Sequence, residues 1–171
     1  ILAAGVTLTS SAVAASNIAQ GTNNNIVYIV KLDVTTLPVT LNNIQFTLTG
    51  THDNNDLGLI NVYFNASAPS LTGAALQNNT NGTFAAPHTY SIGLGGPTIA
   101  ARGSGYFIIT VNTDAAATGG NTIKLNGAAN PVIFGFTTAP TVTNNQTDIA
   151  GTQTILAAGV TLTSSAVAAS N

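Results

Sequence analysis

The sequence predicts an all-β protein: an immunoglobulin-like antiparallel β-sandwich that forms one unit of a tandem or head-to-tail array. Three observations carry this expectation. Short alternating or β-branched runs recur between clusters of Gly, Asn and Pro, the spacing of sandwich strands. Helix start and stop signals bracket only residues 114–118, between Asp114 and Gly119. The opening seventeen residues, ILAAGVTLTSSAVAASN, return unchanged as residues 155–171.

Repetition at a fixed offset is the mark of stacked units, and the offset of 154 residues is the size of one domain. The expected division is a β-sandwich unit over 1–154 and a second copy of its first strand segment over 155–171. That copy reads as the start of the next unit or as an inter-unit donor strand. Strand exchange, in which one unit completes a neighbour's sheet, needs only one copy per subunit, so two copies favour a covalent array. A donor strand fused by engineering is the third reading. The chain holds no Met, which predicts a fragment, a processed product or one unit of something larger. Within the segment Val6 and Leu8 alternate with Thr7 and Thr9, and a strand pair is expected to continue over 12–15. Val6, Leu8 and Val13, with their copies Val160, Leu162 and Val167, are the expected inter-unit strand contacts.

The remaining strands follow in order. Residues 26–34 are β-branched on both faces at their start, which suits a central strand. Residues 39–49 alternate cleanly, Ile44, Phe46 and Leu48 on one face and Gln45, Thr47 and Thr49 on the other. Further strands are expected at 59–64, 88–94, 106–113, 122–126 and 132–136, and turns at 20–25, 50–55, 77–82, 93–97 and 119–121. The core is expected to draw on Val27, Ile29, Leu41, Ile44, Phe46, Leu48, Ile60, Val62, Phe64, Tyr106, Ile108, Val111, Ile123, Leu125, Phe134 and Phe136.

Composition bounds the function. Only 5% of residues are charged, against about 25% in ordinary soluble domains, so polarity comes from Asn, Thr, Ser and Gly. There is no Cys, Met, Trp or Glu, which removes a disulfide framework and the main targets of oxidants. A net charge of −2 gives no footprint for nucleic acid or an anionic membrane. The end segments lack a basic leader and are too rich in Thr, Ser and Gly for membrane insertion as a helix. Weak mutual repulsion permits copies to associate closely.

The runs IAQGTNNNIVYIVKLDV, LNNIQFTLTGTHDNNDLGLINVYFN and IAARGSGYFIITVNTDAAATGGNTIKL carry a resemblance. With Gly21, Thr22 and Asn23 before the first long strand, Asp56 before Val62 and Tyr63, and Asp114 leading to Gly119, the chain resembles a tandem β-sandwich repeat of giant secreted Bacteroidota surface proteins. That repeat is related to the BNR-assembly, or sialidase, N-terminal domain. The match covers residues 18–127. It implies large, multi-repeat, secreted or surface-bound proteins, with a sorting domain elsewhere, and no enzymatic activity in the repeat itself.

Catalytic patterns are poorly served. Arg102 is the single arginine, so the arginine cluster of a sialidase is missing. A glycosidase carboxylate pair would have to come from Asp33, Asp53, Asp56, Asp114 and Asp148, which read as turn caps or surface residues. His52 and His88 are the only candidate bases, and no serine stands in a Gly-x-Ser-x-Gly elbow. No cofactor is expected other than calcium, for which Asp53, Asn55 and Asp56 are the candidate ligands, although Leu57 breaks the EF-hand spacing. Lys31 and Lys124 are candidates for an isopeptide, with Lys31–Asp33 read more simply as a same-face surface pair. Asn65, Asn78, Asn81 and Asn145 begin Asn-x-Ser/Thr triplets and are candidate acceptors of surface glycans. The expected function is a structural subunit of an extracellular filament, stalk or adhesin, whose partners are copies of itself joined head to tail. The alternative is a carbohydrate-binding or accessory module of a secreted hydrolase.

Overall fold

The computed structural model describes residues 3–159, and these form an all-β sandwich of two sheets with no helix among them. The strands are β1 (Gly5–Ser11), β2 (Ser16–Ala19), β3 (Asn25–Val34), β4 (Val39–Gly50), β5 (Leu57–Asn65), β6 (Ala75–Thr80) and β7 (His88–Gly93). They continue with β8 (Thr98–Ile99), β9 (Ser104–Thr113), β10 (Thr122–Leu125), β11 (Val132–Phe136), β12 (Thr141–Asn145) and β13 (Gln153–Leu156). One sheet runs β12-β1-β3-β9-β5-β6; the other runs β11-β4-β10-β13-β2, with β7 and β8 also paired to β4.

Between the named strands the pairing is antiparallel except at two places. β1 pairs with β12 in parallel, and β2 pairs with β13 in parallel. Parallel neighbours cannot be joined by a hairpin, and here they join the two ends of the unit. The sheets are therefore mixed rather than purely antiparallel.

The central strands behave as their composition predicts. Val27, Tyr28, Ile29 and Val30 are all buried, as are residues 107–111 of β9, which pairs with β3. In β4, Ile44, Phe46 and Leu48 face the core while Gln45, Thr47 and Thr49 face outward. Three expected core residues, Phe64, Tyr106 and Phe136, are only half-buried. Phe107 takes the place expected of Tyr106, its ring centroid 5.1 Å from Phe64 and 4.9 Å from Phe134. Gly105 makes this possible, because a Cβ there would overlap the Phe64 ring. Tyr106 instead faces outward, in register with Lys31.

Several elements depart from expectation for identifiable reasons. Residues 77–82 read as a turn, yet β6 is an edge strand whose backbone pairs with β5 while its Asn side chains meet water. β12 is exposed along its whole length and so carries no hydrophobic period. Residues 12–15 do not continue as a strand: the chain crosses there from one sheet to the other, with a single bridge from Val13 to Ala150. At 114–118 the chain forms a turn, not a helical segment, in which Asp114 Oδ1 accepts the Ala116 N–H at 2.8 Å.

Phe107→Ala should lower stability by about 3–5 kcal/mol in urea denaturation, the usual cost of emptying a buried aromatic site. Tyr106→Ala should cost distinctly less; equal losses would contradict the inward placement of Phe107.

Candidate functional site

The duplicated segment divides into two parts with different structural roles. Its first two residues, in the copy that begins at 155, finish the last strand. Ile155 is fully buried and pairs with Ile18, while its N–H donates to Asn121 O at 2.8 Å and its carbonyl accepts the Gly120 N–H at 2.8 Å. Leu156 O accepts the Gln20 N–H at 3.2 Å, but the Leu156 side chain is 48% exposed. Gln20 Oε1 also holds the Ala158 N–H at 2.6 Å. Gly119 packs so closely on Ala157 that a Cβ on it would lie 2.7 Å from the Ala157 Cβ.

The later part of the segment, seen in the first copy, begins the first strand. Val6 and Leu8 are buried in the unit's own core, on a strand held between β12 and β3. These residues, the expected inter-unit contacts, are buried within this sandwich, where residues 5–11 fill the slot beside β3. Val13 is half-buried at its bridge to Ala150. Val160, Leu162 and Val167 lie outside the described residues.

The two parts of the segment stand at opposite poles. The leading pole is where Gly5 O accepts the Thr35 N–H at 3.0 Å and Ala4 O accepts the Thr141 N–H at 2.8 Å, beside the end of β3. The trailing pole, around Leu156, lies beside the start of β3, where Gly21 N–H donates to Asp114 O at 3.0 Å. The ten residues of β3 separate them, roughly 33 Å at the rise of an extended chain. At the leading pole Ala3, Ala4, Leu37, Pro38 and Ala139 line a hollow of about 520 Å³ with no charged side chain in its wall.

A second cluster sits near the trailing pole. Asp56 is fully buried. Its Oδ1 accepts the Thr118 N–H at 2.6 Å, and its Oδ2 accepts the Asp53 N–H at 2.8 Å and the Asn121 amide at 2.7 Å. Burial pushes this carboxyl up, yet those donors more than offset it and hold it below the usual 3.8. A calcium ion at Asp53, Asn55 and Asp56 would have to displace N–H groups that already aim positive charge at the carboxylate. His52 beside it is 2% exposed; its Nδ1 lies 3.1 Å from Thr122 O and its Nε2 has no partner. Burial pushes the imidazole below its usual 6.5, against smaller opposing effects of the Thr122 carbonyl and Asp56.

The other candidates are placed apart. Lys31 pairs with Asp33 at 2.7 Å, and Lys124 with Asp148 at 3.0 Å, both half-exposed. Asp53 Oδ1 caps its own turn through the Asn55 N–H at 2.7 Å. Among the described residues no three His or Asp side chains converge as metal ligands. Asn65 is buried and its amide donates to Ser70 O and Thr72 O, so it does not present itself to a glycan, whereas Asn81 and Asn145 are exposed. Burial pushes the Tyr90 hydroxyl up to about 12. Tyr28 is likewise in the core, its hydroxyl meeting the Ser10 hydroxyl. Tyr63 and Tyr106 are half-buried on the outer face of the β3–β9–β5 sheet.

Sequence reasoning missed Leu37 and the role of Ile155 and Leu156. The available signal was their separation: an apolar pair opening the repeat, then Ala-Ala-Gly, then the alternating strand.

No family model matches the chain, and no curated protein matches it. The resemblance to the BNR-assembly N-terminal repeat therefore stands on its motifs alone. Among solved structures, the chain is similar to one in a crystallised complex containing CaCohA2 at pH 5.5, with 13% identity over 90% of this chain and 99% of that one and a TM-score of 0.38. The solution structure of CaCohA2 from Clostridium acetobutylicum matches at 15% identity over 88% and 91%, TM-score 0.29. The receptor-binding domain of the plasmid-borne adhesin MrkD1P of Klebsiella pneumoniae matches at 8% over 92% and 99%, TM-score 0.28. Similarities this distant carry no argument about what the chain binds.

Both His52 and Asp56 hold protons less readily in the folded state than in the unfolded chain. Stability should therefore fall as the pH drops, below about 6.5 through His52 and below about 3.8 through Asp56. Urea midpoints measured near pH 8 and pH 5 should differ for the native chain, and the difference should shrink in His52→Gln. A midpoint that rises on acidification would contradict the buried neutral imidazole.

Proposed function

We propose that this chain is a structural repeat of an extracellular filament, stalk or adhesin, its units joined end to end by peptide bonds through the duplicated segment. The observation that carries the reading is the split role of that segment. Ile155 completes the core of one unit, while the copies of Val160 and Leu162, namely Val6 and Leu8, begin the core of a unit. Only residues 157–159 separate the two roles. The chain therefore leaves one pole and starts the next unit within three residues, which extends an array along the axis of β3 rather than folding it back.

Donor-strand exchange is less well supported, because the acceptor slot between β12 and β3 already holds residues 5–11 of the same chain. An outside location fits a chain without Cys or Met, which offers little to oxidants. A non-catalytic role accords with aspartates that are each engaged in turns or ion pairs.

A second reading, a carbohydrate-binding or accessory module of a secreted hydrolase, draws on Tyr63 and Tyr106 on one outer face. A glycan array with the 171-residue chain would support it by a hit that Tyr63→Ala and Tyr106→Ala abolish.

Electron microscopy of the native material tests the first reading. The expected image is unbranched filaments or stalks with an axial repeat somewhat above the roughly 33 Å length of β3. Compact single particles without an axial repeat would overturn it.

A further inference from the structure

The hollow at the leading pole has no charged side chain in its wall, and each pole carries an exposed leucine. Leu37 at the leading pole is 43% exposed and Leu156 at the trailing pole is 48% exposed. An exposed leucine alone is ordinary, but these two stand on either side of the chain's own junction. We infer that the leading-pole hollow is the seat of the preceding unit's trailing pole, with Leu156 of that unit packed against Leu37 and Pro38. The inference rests on the end-to-end reading above and adds to it a specific contact that makes the joint stiff.

Sequence identity between the copies brings the two surfaces together. Ala3 and Ala4, which line the hollow, are the counterparts of Ala157 and Ala158. In an array those alanines are the same residues, so Leu156 comes one position before the wall of the hollow. The reach is short as well. Four residue steps lead from Leu156 to Val160, at most about 14 Å, so the two poles cannot stay apart in solvent.

Both ends of the linker are already held. Gln20 binds the Ala158 N–H through its Oε1, and the copies at the leading pole are held where Thr36 Oγ1 donates to Ala3 O at 2.7 Å and Thr141 N–H to Ala4 O at 2.8 Å. A linker with its backbone groups engaged on both units has little freedom to swing. The Gly119 turn lies against Ala157 and would be carried to the rim of the hollow with it. A hollow of about 520 Å³ has ample room for a leucine side chain.

The test uses a two-unit chain, residues 1–154 followed by the full 171 residues, studied by small-angle X-ray scattering and thermal unfolding. The expected result is an extended, stiff particle in which contact between units raises the unfolding temperature above that of the 171-residue chain. Leu37→Asp in the second unit, or Leu156→Lys at the junction (the residue that is also Leu2 of the second unit), should loosen the particle and abolish that rise; the two together should restore it. Restoration by the charge pair separates loss of contact from loss of folding. An extended but flexible native particle, or indifference to both substitutions, overturns the contact and leaves the end-to-end reading standing. Two units folded side by side overturn the end-to-end reading itself.

Discussion

β1 is held in the middle of a sheet by strands from distant parts of the chain, β3 on one side and β12 on the other, and this pairing governs the unit. In the other sheet β2 is the edge strand and lies beside β13. Each terminal strand is thus completed by a strand from the opposite terminus. Closing such long loops costs chain entropy that local contacts cannot repay, and the burial of Val6, Leu8, Ile18 and Ile155 is what offsets it. A sandwich closed in this way has its beginning and end fixed at opposite poles. The proposed end-to-end array relies on that polarity.

With so few charges, the polar surface is built from neutral hydrogen-bonding groups. Threonines face one another across strands at the surface, as in Thr47 with Thr89 at 2.8 Å and Thr40 with Thr98 at 2.9 Å. Such cross-strand pairs each contribute a fraction of a kcal/mol, and their number compensates for their size. The one deeply placed carboxylate, Asp56, ties the 50–56 loop to the 114–121 loop through donors from Asp53, Thr118 and Asn121. Reading Asp56 as a turn cap captures its bond to Asp53 and misses its reach across to the second loop. That reach places Gly120 and Asn121 against Ile155, so the buried carboxylate supports the trailing pole.

The strands with a strong hydrophobic period were legible from the residues: β3, β4, β5, β7, β9, β10 and β11 all lie where alternation or β-branched runs place them. The strands without a period were not. β6 and β12 present polar or exposed side chains and exist because a neighbour offers backbone partners. At Phe107 the sequence misleads by one position, since Tyr106 and Phe107 are both good core residues. The choice falls to Gly105, whose missing Cβ leaves room for the Phe64 ring.

By itself, the sequence determined that the protein is all-β and that ILAAGVTLTSSAVAASN occurs twice in it, 154 residues apart. Periodicity and identity are properties of the chain alone, so they can be read without coordinates. Only the tertiary structure decided what each part of that segment does: Ile155 and Leu156 finish the last strand, whereas residues 5–11 form the first. Whether an apolar residue completes an old core or founds a new one depends on its partners in space: Ile155 meets Ile18, whereas Val6 meets Val34 and Val142. The same dependence hid Leu37 and Leu156, whose significance comes from the poles they occupy.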